Sequence, residues 1–218
     1  MEKTNELTPK TALIVTGGYC NDTEVRRMLP VDVDLTIAAD SGYATAGRLG
    51  ITPDITMGDF DSYRDALPLG MNVLRVACEK DVTDTMLACE YAKEHGCRYI
   101  TIVGGTGGRI DHSLSNVLYL EGLRREGIRV KLTDGENTVQ VILDEVVTIP
   151  NDGGYFSIFA LDSCIVTENG CKYPLDHARL VRQMPYAVSN EVVGEYATVS
   201  VDGIAILVMS KKSSAEGG

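Results

Sequence analysis

The chain changes its grammar once, near residue 136, and that change limits the folds open to it more than any single motif. Upstream, short apolar runs end in glycine or a small polar residue: "TALIVTGG" (11–18), "DLTIAAD" (34–40), "MNVLRVA" (71–77), "RYITIVGG" (98–105) and "IRVKLTDG" (128–135). Runs of this length and ending read as buried strands. Helical spacing separates the last three. One stretch sets Leu87, Tyr91 and His95 four residues apart and stops at Gly96, a candidate C′ residue. The next aligns Leu114, Val117, Leu118 and Glu121 on one face and stops at Gly127. Strands alternating with helices predict a parallel sheet covered on both faces.

Downstream, "NTVQVIL", "EVVTIP", "YFSIFAL", "SCIVTENG", "CKYPL" and "YATVSVDGIAILVMS" contain little with helical spacing. Asn169-Gly170 and Asp202-Gly203 carry the two-residue hairpin signal, since both central positions of a type I′ turn need positive φ. The expected class is therefore α/β: a Rossmann-like parallel-sheet nucleotide domain over 10–136, then an antiparallel β-sandwich over 137–212. No repeat or low-complexity linker separates them, which predicts a short, stiff junction. The polar stretch 213–218 is set aside as a tail.

Composition excludes several classes. A net charge of −11 opposes general nucleic-acid binding, which needs a basic surface. It leaves phosphorylated small molecules open, because a bound divalent cation inverts the local field. No apolar run approaches the roughly 20 residues of a membrane span, and the polar N-terminus lacks a signal core. Cys20, Cys78, Cys89, Cys97, Cys164 and Cys171 form no CxxC pair and sit mostly in apolar segments, so reduced thiols in a cytoplasmic protein are expected.

In a parallel α/β sheet, ligands gather beyond the carboxyl ends of the strands. Unusual polar residues fall there repeatedly: Gly17-Gly18, Asp40-Ser41-Gly42, "GDFDS" (58–62) after the loop "ITPDITM", "TDT" (83–85) and "GGTGGRIDH" (104–112). In extended backbone Asp59 and Asp61 point the same way, with Cα atoms roughly 7 Å apart. Such a pair is either an acidic turn or half of a clamp for a hard cation, and magnesium takes one or two carboxylates beside water and phosphate. Asp84 adds a third acid. At the helix start, Thr83 or Asp81 is the expected cap, leaving Asp84 in the first turn. Lys80 pairs a carboxylate, touches phosphate or is solvated.

Four glycines in "GGTGG" let backbone approach a polyphosphate closely, and the following helix start offers unpaired N–H groups. The loop is neither a P-loop nor GxGxxG. Arg109 supplies a fork for phosphate oxygens, Asp111 is expected to cap the helix, and His112 is either a phosphate contact or a packed histidine. With the acidic residues, the loop reads as a nucleoside-triphosphate site.

Taken in order and spacing, "ADSG", "PDITMGDFDS", "KDVTDT" and "GGTGGRIDH…N", followed by "GGYFSIFAL", "GCKYPL" and "VSNE", resemble the thiamine pyrophosphokinase family over about residues 12–209. The resemblance implies transfer of the pyrophosphoryl group of ATP to the hydroxyl of thiamine, giving thiamine diphosphate and AMP, with Mg2+. It implies an α/β nucleotide domain, a β-sandwich, and a homodimer with active sites at the interface. By position, Asp59, Asp61 and Asp84 match the metal-side and catalytic acids. Asp40, Lys80, Gly107, Gly108, Arg109 and His112 fall on the ATP side. Ser189 and Asn190 match the pair that receives the aminopyrimidine. The chain has no tryptophan, so Tyr173 is either the residue stacking on thiamine or a packing tyrosine. Two rivals stand beside this reading: another Mg-dependent DxD phosphotransferase or phosphohydrolase, and a non-catalytic nucleotide- or thiamine-binding regulator.

Overall fold

The computed structural model describes residues 9–58, 72–75, 82–107 and 109–212. The described residues form fourteen elements in this order: β1 (Lys10–Val15), α1 (Asp22–Met28), β2 (Leu35–Ala39), α2 (Gly42–Leu49), β3 (Ile55–Gly58), β4 (Val73–Arg75), α3 (Asp84–Glu94), β5 (Cys97–Val103), α4 (Ile110–Arg125), β6 (Arg129–Thr133), β7 (Asn137–Pro150), β8 (Tyr155–Asn169), β9 (Leu175–Val181) and β10 (Tyr196–Ser210). All ten strands share one hydrogen-bonded sheet in the order β4-β3-β2-β1-β5-β6-β7-β10-β8-β9. β1 to β6 pair in parallel; from β6–β7 onward every pair is antiparallel. The chain winds outward from β1 to β4, then returns to lay β5 on the other side of β1. That reversal is a topological switch point, where the strand ends splay and open a crevice.

Burial on both faces explains the continuous apolar runs of β1 and β5. On one face, Ala88, Cys89 and Ala92 of α3 and Leu120 and Leu123 of α4 meet Ile14, Ile37, Ile100, Ile102 and Leu132. On the other, Val25 of α1 and Ala46 and Leu49 of α2 meet Leu13, Val15 and Val103.

Several expectations are corrected. "ITPDITM" ends in a strand, β3, rather than a loop; four residues are too few for periodicity to speak, and pairing to β2 decides the matter. Helices α1 and α2 had no sequence signal strong enough to read: α1 spans seven residues, with the Asn21 carboxamide accepting from Glu24 N–H at 3.3 Å. In α4, Leu114 and Leu118 are exposed while Asn116, Leu120 and Leu123 face the sheet. In α3, Leu87 and Tyr91 pack against the core, but its fully buried positions are Ala88, Cys89 and Ala92, whose small side chains allow close packing on the sheet, and His95 is exposed.

Neither dipeptide makes a two-residue hairpin. Asp202-Gly203 lies inside β10, where the two residues oppose the single Asp144 of β7 and Gly203 N–H donates to the Asp144 carboxylate at 2.7 Å. That is a β-bulge, which bends and twists the strand. Gly170 ends β8 with φ 71°, but β9 resumes only at Leu175. The bends let residues from both ends of the long strands, among them Ile142 and Ile149, Phe156 and Val166, and Val199 and Leu207, close a second core. Among the described residues no helix is long and apolar enough to cross a membrane. Cys20, Cys89, Cys97, Cys164 and Cys171 are free and buried; Cys78 lies outside the described residues.

Candidate active site

The crevice at the switch point is a cleft of about 500 Å³. Its floor is the segment after β1, Thr16 to Tyr19; one wall is Asp40, Ser41 and the start of α3, and the other is the Gly104–Gly107 loop with the start of α4. The floor and the glycine-rich wall interlock: a Cβ on Gly18 would lie 1.9 Å from the Gly104 carbonyl oxygen and 3.2 Å from that of Thr106. No side chain fits between two backbones that close.

Asp40 ends β2 with φ 48°, a strained setting for an aspartate, held by its N–H donating to the Met57 carbonyl at 2.7 Å. Its Oδ1 is buried and has no hydrogen-bond partner among the described residues. An unsatisfied buried carboxylate oxygen facing a polar cleft is the kind of donor a hard cation takes. On the same wall, Thr83 caps α3 as expected, accepting from Met86 N–H at 3.3 Å, and leaves Asp84 in the first turn on the cleft lining. Asp59, Asp61, Lys80 and Gly108 lie outside the described residues.

Across the cleft, Arg109 rather than Asp111 occupies the N-cap of α4, and its own side chain makes no cap hydrogen bond. The reason is local: Asp111 is engaged in a fork with Arg109, receiving its Nε at 3.1 Å and Nη2 at 2.5 Å. Asp111 Oδ1 also accepts from the His112 N–H at 3.0 Å, so the N–H groups that precede His112 are the ones left to meet an anion. Gly107, Arg109 and the exposed His112 line the opening, and the buried Asn116 donates to the Gly105 carbonyl at 2.8 Å, fixing the loop to its helix.

A support under this loop had no sequence signal. Asp134, buried just after β6, accepts from the Thr106 hydroxyl at 2.8 Å, from the Glu136 and Asn137 N–H groups at 2.9 and 2.6 Å, and from the Asn137 carboxamide at 3.1 Å. One carboxylate thus ties the glycine-rich loop to the β6–β7 corner. Tyr19, half exposed, lies against Gly107 and donates its hydroxyl to Glu136 at 3.3 Å. "TDGEN" reads from sequence only as a turn, since the partners are 28 residues apart.

Ser189, Asn190 and Tyr173 form a separate group; none of them lines the cleft. Asn190 is buried, and its carboxamide is fully used: Nδ2 donates to Glu168 at 2.6 Å and to the Tyr173 carbonyl at 2.9 Å, while Oδ1 accepts from the N–H groups of Tyr173 and Glu191, each at 3.0 Å. Ser189 stands exposed at φ 56°, its N–H donating to the Ser157 hydroxyl at 3.0 Å. Tyr173 is also exposed. Sequence pairs Ser189 with Asn190; the structure turns one outward and makes the other the keystone of the turn.

Glu168 sits beneath that keystone, 2% exposed. Burial raises its pKa, and the Asn190 N–H acts against that rise. A carboxyl with a folded value above its unfolded one contributes stability below the unfolded value and loses it as pH climbs through the folded value. Glu168→Gln keeps an acceptor for Asn190 and removes the charge. Its Tm is expected to gain on the wild type as pH rises from about 5 to about 8. Melting curves at both pH values check this, and a pH-independent gap refutes it.

Two family models match the chain: "Thiamin pyrophosphokinase, catalytic domain" over residues 28–132 and "Thiamin pyrophosphokinase, vitamin B1 binding domain" over 138–204. The thiamine pyrophosphokinase of Bacillus subtilis is 33% identical over 211 residues, spanning 92% of this chain and 99% of that protein. The crystal structure of thiamine pyrophosphokinase from Bacillus subtilis superposes with a TM-score of 0.83 at 31% identity, covering 94% of this chain and all of that one. That of thiamin pyrophosphokinase from Geobacillus thermodenitrificans gives 0.79 at 30% identity, covering 94% and 99%.

Proposed function

The chain belongs to the thiamine pyrophosphokinase family, and we propose that the cleft at its switch point is where it holds ATP. The protein is a thiamine diphosphokinase: it transfers the pyrophosphoryl group of ATP to thiamine, giving thiamine diphosphate and AMP. The reaction requires the thiamine hydroxyl to meet the β-phosphorus in line with the departing AMP oxygen, so the protein's work is positioning and charge neutralisation.

The observation that carries the assignment is the pairing of two chemically opposite walls. One presents Asp40, whose buried oxygen has no partner among the described residues, and Asp84; the other presents glycine backbone, the start of α4 and Arg109. The acidic wall suits a divalent cation, and we assign Mg2+ to Asp84 with Asp59 and Asp61; bound there, the ion would offset phosphate charge and polarise its oxygens. Arg109 already holds a two-oxygen anion in the carboxylate of Asp111, and phosphate oxygens can replace it in the same fork. Gly107 and Gly108 bring backbone to the phosphates, with Lys80 and His112 as further contacts on the nucleotide. One of Asp59, Asp61 or Asp84 takes the hydroxyl proton.

Thiamine is assigned to the group around Ser189, with the Ser189 hydroxyl and the Tyr173 ring facing the ligand and Asn190 shaping the turn. Because none of these residues lines the cleft of its own chain, a homodimer that presents them to the partner's cleft completes the site. The buried, free thiols suit a cytoplasmic setting.

The experiment is direct: incubate the protein with ATP, Mg2+ and thiamine and identify the products by mass spectrometry. AMP with thiamine diphosphate is the expected result. ADP or free phosphate would point to another phosphotransferase or a phosphohydrolase, and no turnover to a binding regulator. Sedimentation of the purified protein tests the dimer.

A further inference from the structure

The sheet has a second concave face, at the opposite end from the cleft. Parallel strands are ordinarily covered on both sides. Here α1 and α2 cover Leu13, Val15 and Val103 on one face, and farther along the same face the cover ends. Register shows what is left open. Thr101 pairs with Leu13 on one side and Lys131 on the other, and Lys131 pairs with Gln140, so the three polar residues form one row across β5, β6 and β7. Tyr99 and Arg129 form the adjacent row. With Ile142, Glu145 and Val147 they surround a recess of about 310 Å³, within the range of small-molecule sites.

The charges in this recess are unequal. Arg124 and Arg129 share the Glu145 carboxylate at 2.9 and 2.6 Å. Lys131 is half-buried and makes no ion pair among the described residues, Glu145 in the same recess being taken by the two arginines; burial lowers its pKa. Among the described residues the side chains of Tyr99, Thr101 and Gln140 have no hydrogen-bond partner either. A half-buried ammonium beside three hydrogen-bonding side chains not tied to other parts of the chain makes a recess in which an anion would gain from all four. The local surplus of positive charge stands against a net charge of −11 for the chain.

We propose that this recess binds a small oxyanion, a carboxylate or phosphate monoester on a flat or aliphatic body, with Lys131 as its counter-charge. Tyr99, Thr101 and Gln140 supply hydrogen bonds, and the body rests on Ile142 and Val147. The site shares no lining residue with the ATP cleft.

Titration of the full chain with benzoate and with phenyl phosphate, read by ligand-detected saturation-transfer NMR, tests the proposal and separates the two headgroups. At least one probe is expected to bind. Lys131→Met, which keeps the unbranched stem, should weaken it by about tenfold, the scale of one charged hydrogen bond. Tyr99→Phe, at an exposed position, should weaken it less and serves as a variant that folds. Arg109→Ala, which alters only the cleft, should leave the affinity unchanged. Binding that is lost with Arg109→Ala, binding indifferent to Lys131→Met, or no binding of either probe would overturn the proposal.

Discussion

Asp84→Asn is expected to lower turnover about a thousandfold while leaving the fold intact, the loss typical of removing one well-placed charge-stabilising group. The substitution is isosteric, so the first turn of α3 keeps its shape and Thr83 still accepts from Met86 N–H. What changes is the charge on the acidic wall. A neutral carboxamide holds a divalent cation far more weakly, and the charge developing on the transferred group then goes unbalanced. AMP release under saturating ATP and thiamine measures the effect, with circular dichroism and Tm as controls. Turnover within a few-fold of wild type would remove Asp84 from the metal-holding set. Asp61→Asn is expected to behave alike.

Gly18→Ala is the second large effect, and it acts through backbone. The added methyl would sit 1.9 Å from the Gly104 carbonyl oxygen, far inside van der Waals contact, with the Thr106 carbonyl oxygen at 3.2 Å on the same side. Neither neighbour is a side chain that can swing away. The segment after β1 must part from the glycine-rich loop, and Thr106, tied to Asp134, resists the shift. We expect a stability loss of about 2–3 kcal/mol, in the range of overpacking in a close-packed region, together with a rise in the KM for ATP of at least about tenfold. Gly47→Ala provides the contrast. Nothing lies within 4 Å of its new methyl, and it sits inside α2, so it should stabilise by roughly 0.5–1 kcal/mol. If the two variants melt alike, the interlock does not constrain the cleft.

The order of elements was legible because period is a local property. Alternating buried strands and helices announced the parallel sheet, and the loss of helical spacing after residue 136 announced the antiparallel part. Short elements were not legible. β3 has four residues and α1 has seven, too few for a pattern to rise above composition, and both are fixed by pairing or packing. The dipeptide Asp202-Gly203 shows the same limit from the other side. It was expected to turn the chain with positive φ at both residues; only Gly203 takes it, at φ 108°, and the pair bulges a strand instead because β7 and β8 lie alongside.

For the site, residue type and strand-end position pointed to acids after one set of strands and to glycines with an arginine after another, while the serine–asparagine pair came from the family resemblance. Residue type and strand-end position are written locally, so these could be read one segment at a time. Tertiary structure decided how they are used. It left Asp40 Oδ1 without a partner among the described residues, engaged Asp111 with Arg109 as well as the His112 N–H, and spent the whole carboxamide of Asn190 on Glu168, Tyr173 and Glu191. It also placed Asp134 under Thr106 and kept the Ser189 group off the cleft of its own chain. Each of these is a hydrogen-bond or packing partnership between segments distant in sequence, and a donor or acceptor has no assigned partner until the fold brings one within about 3 Å.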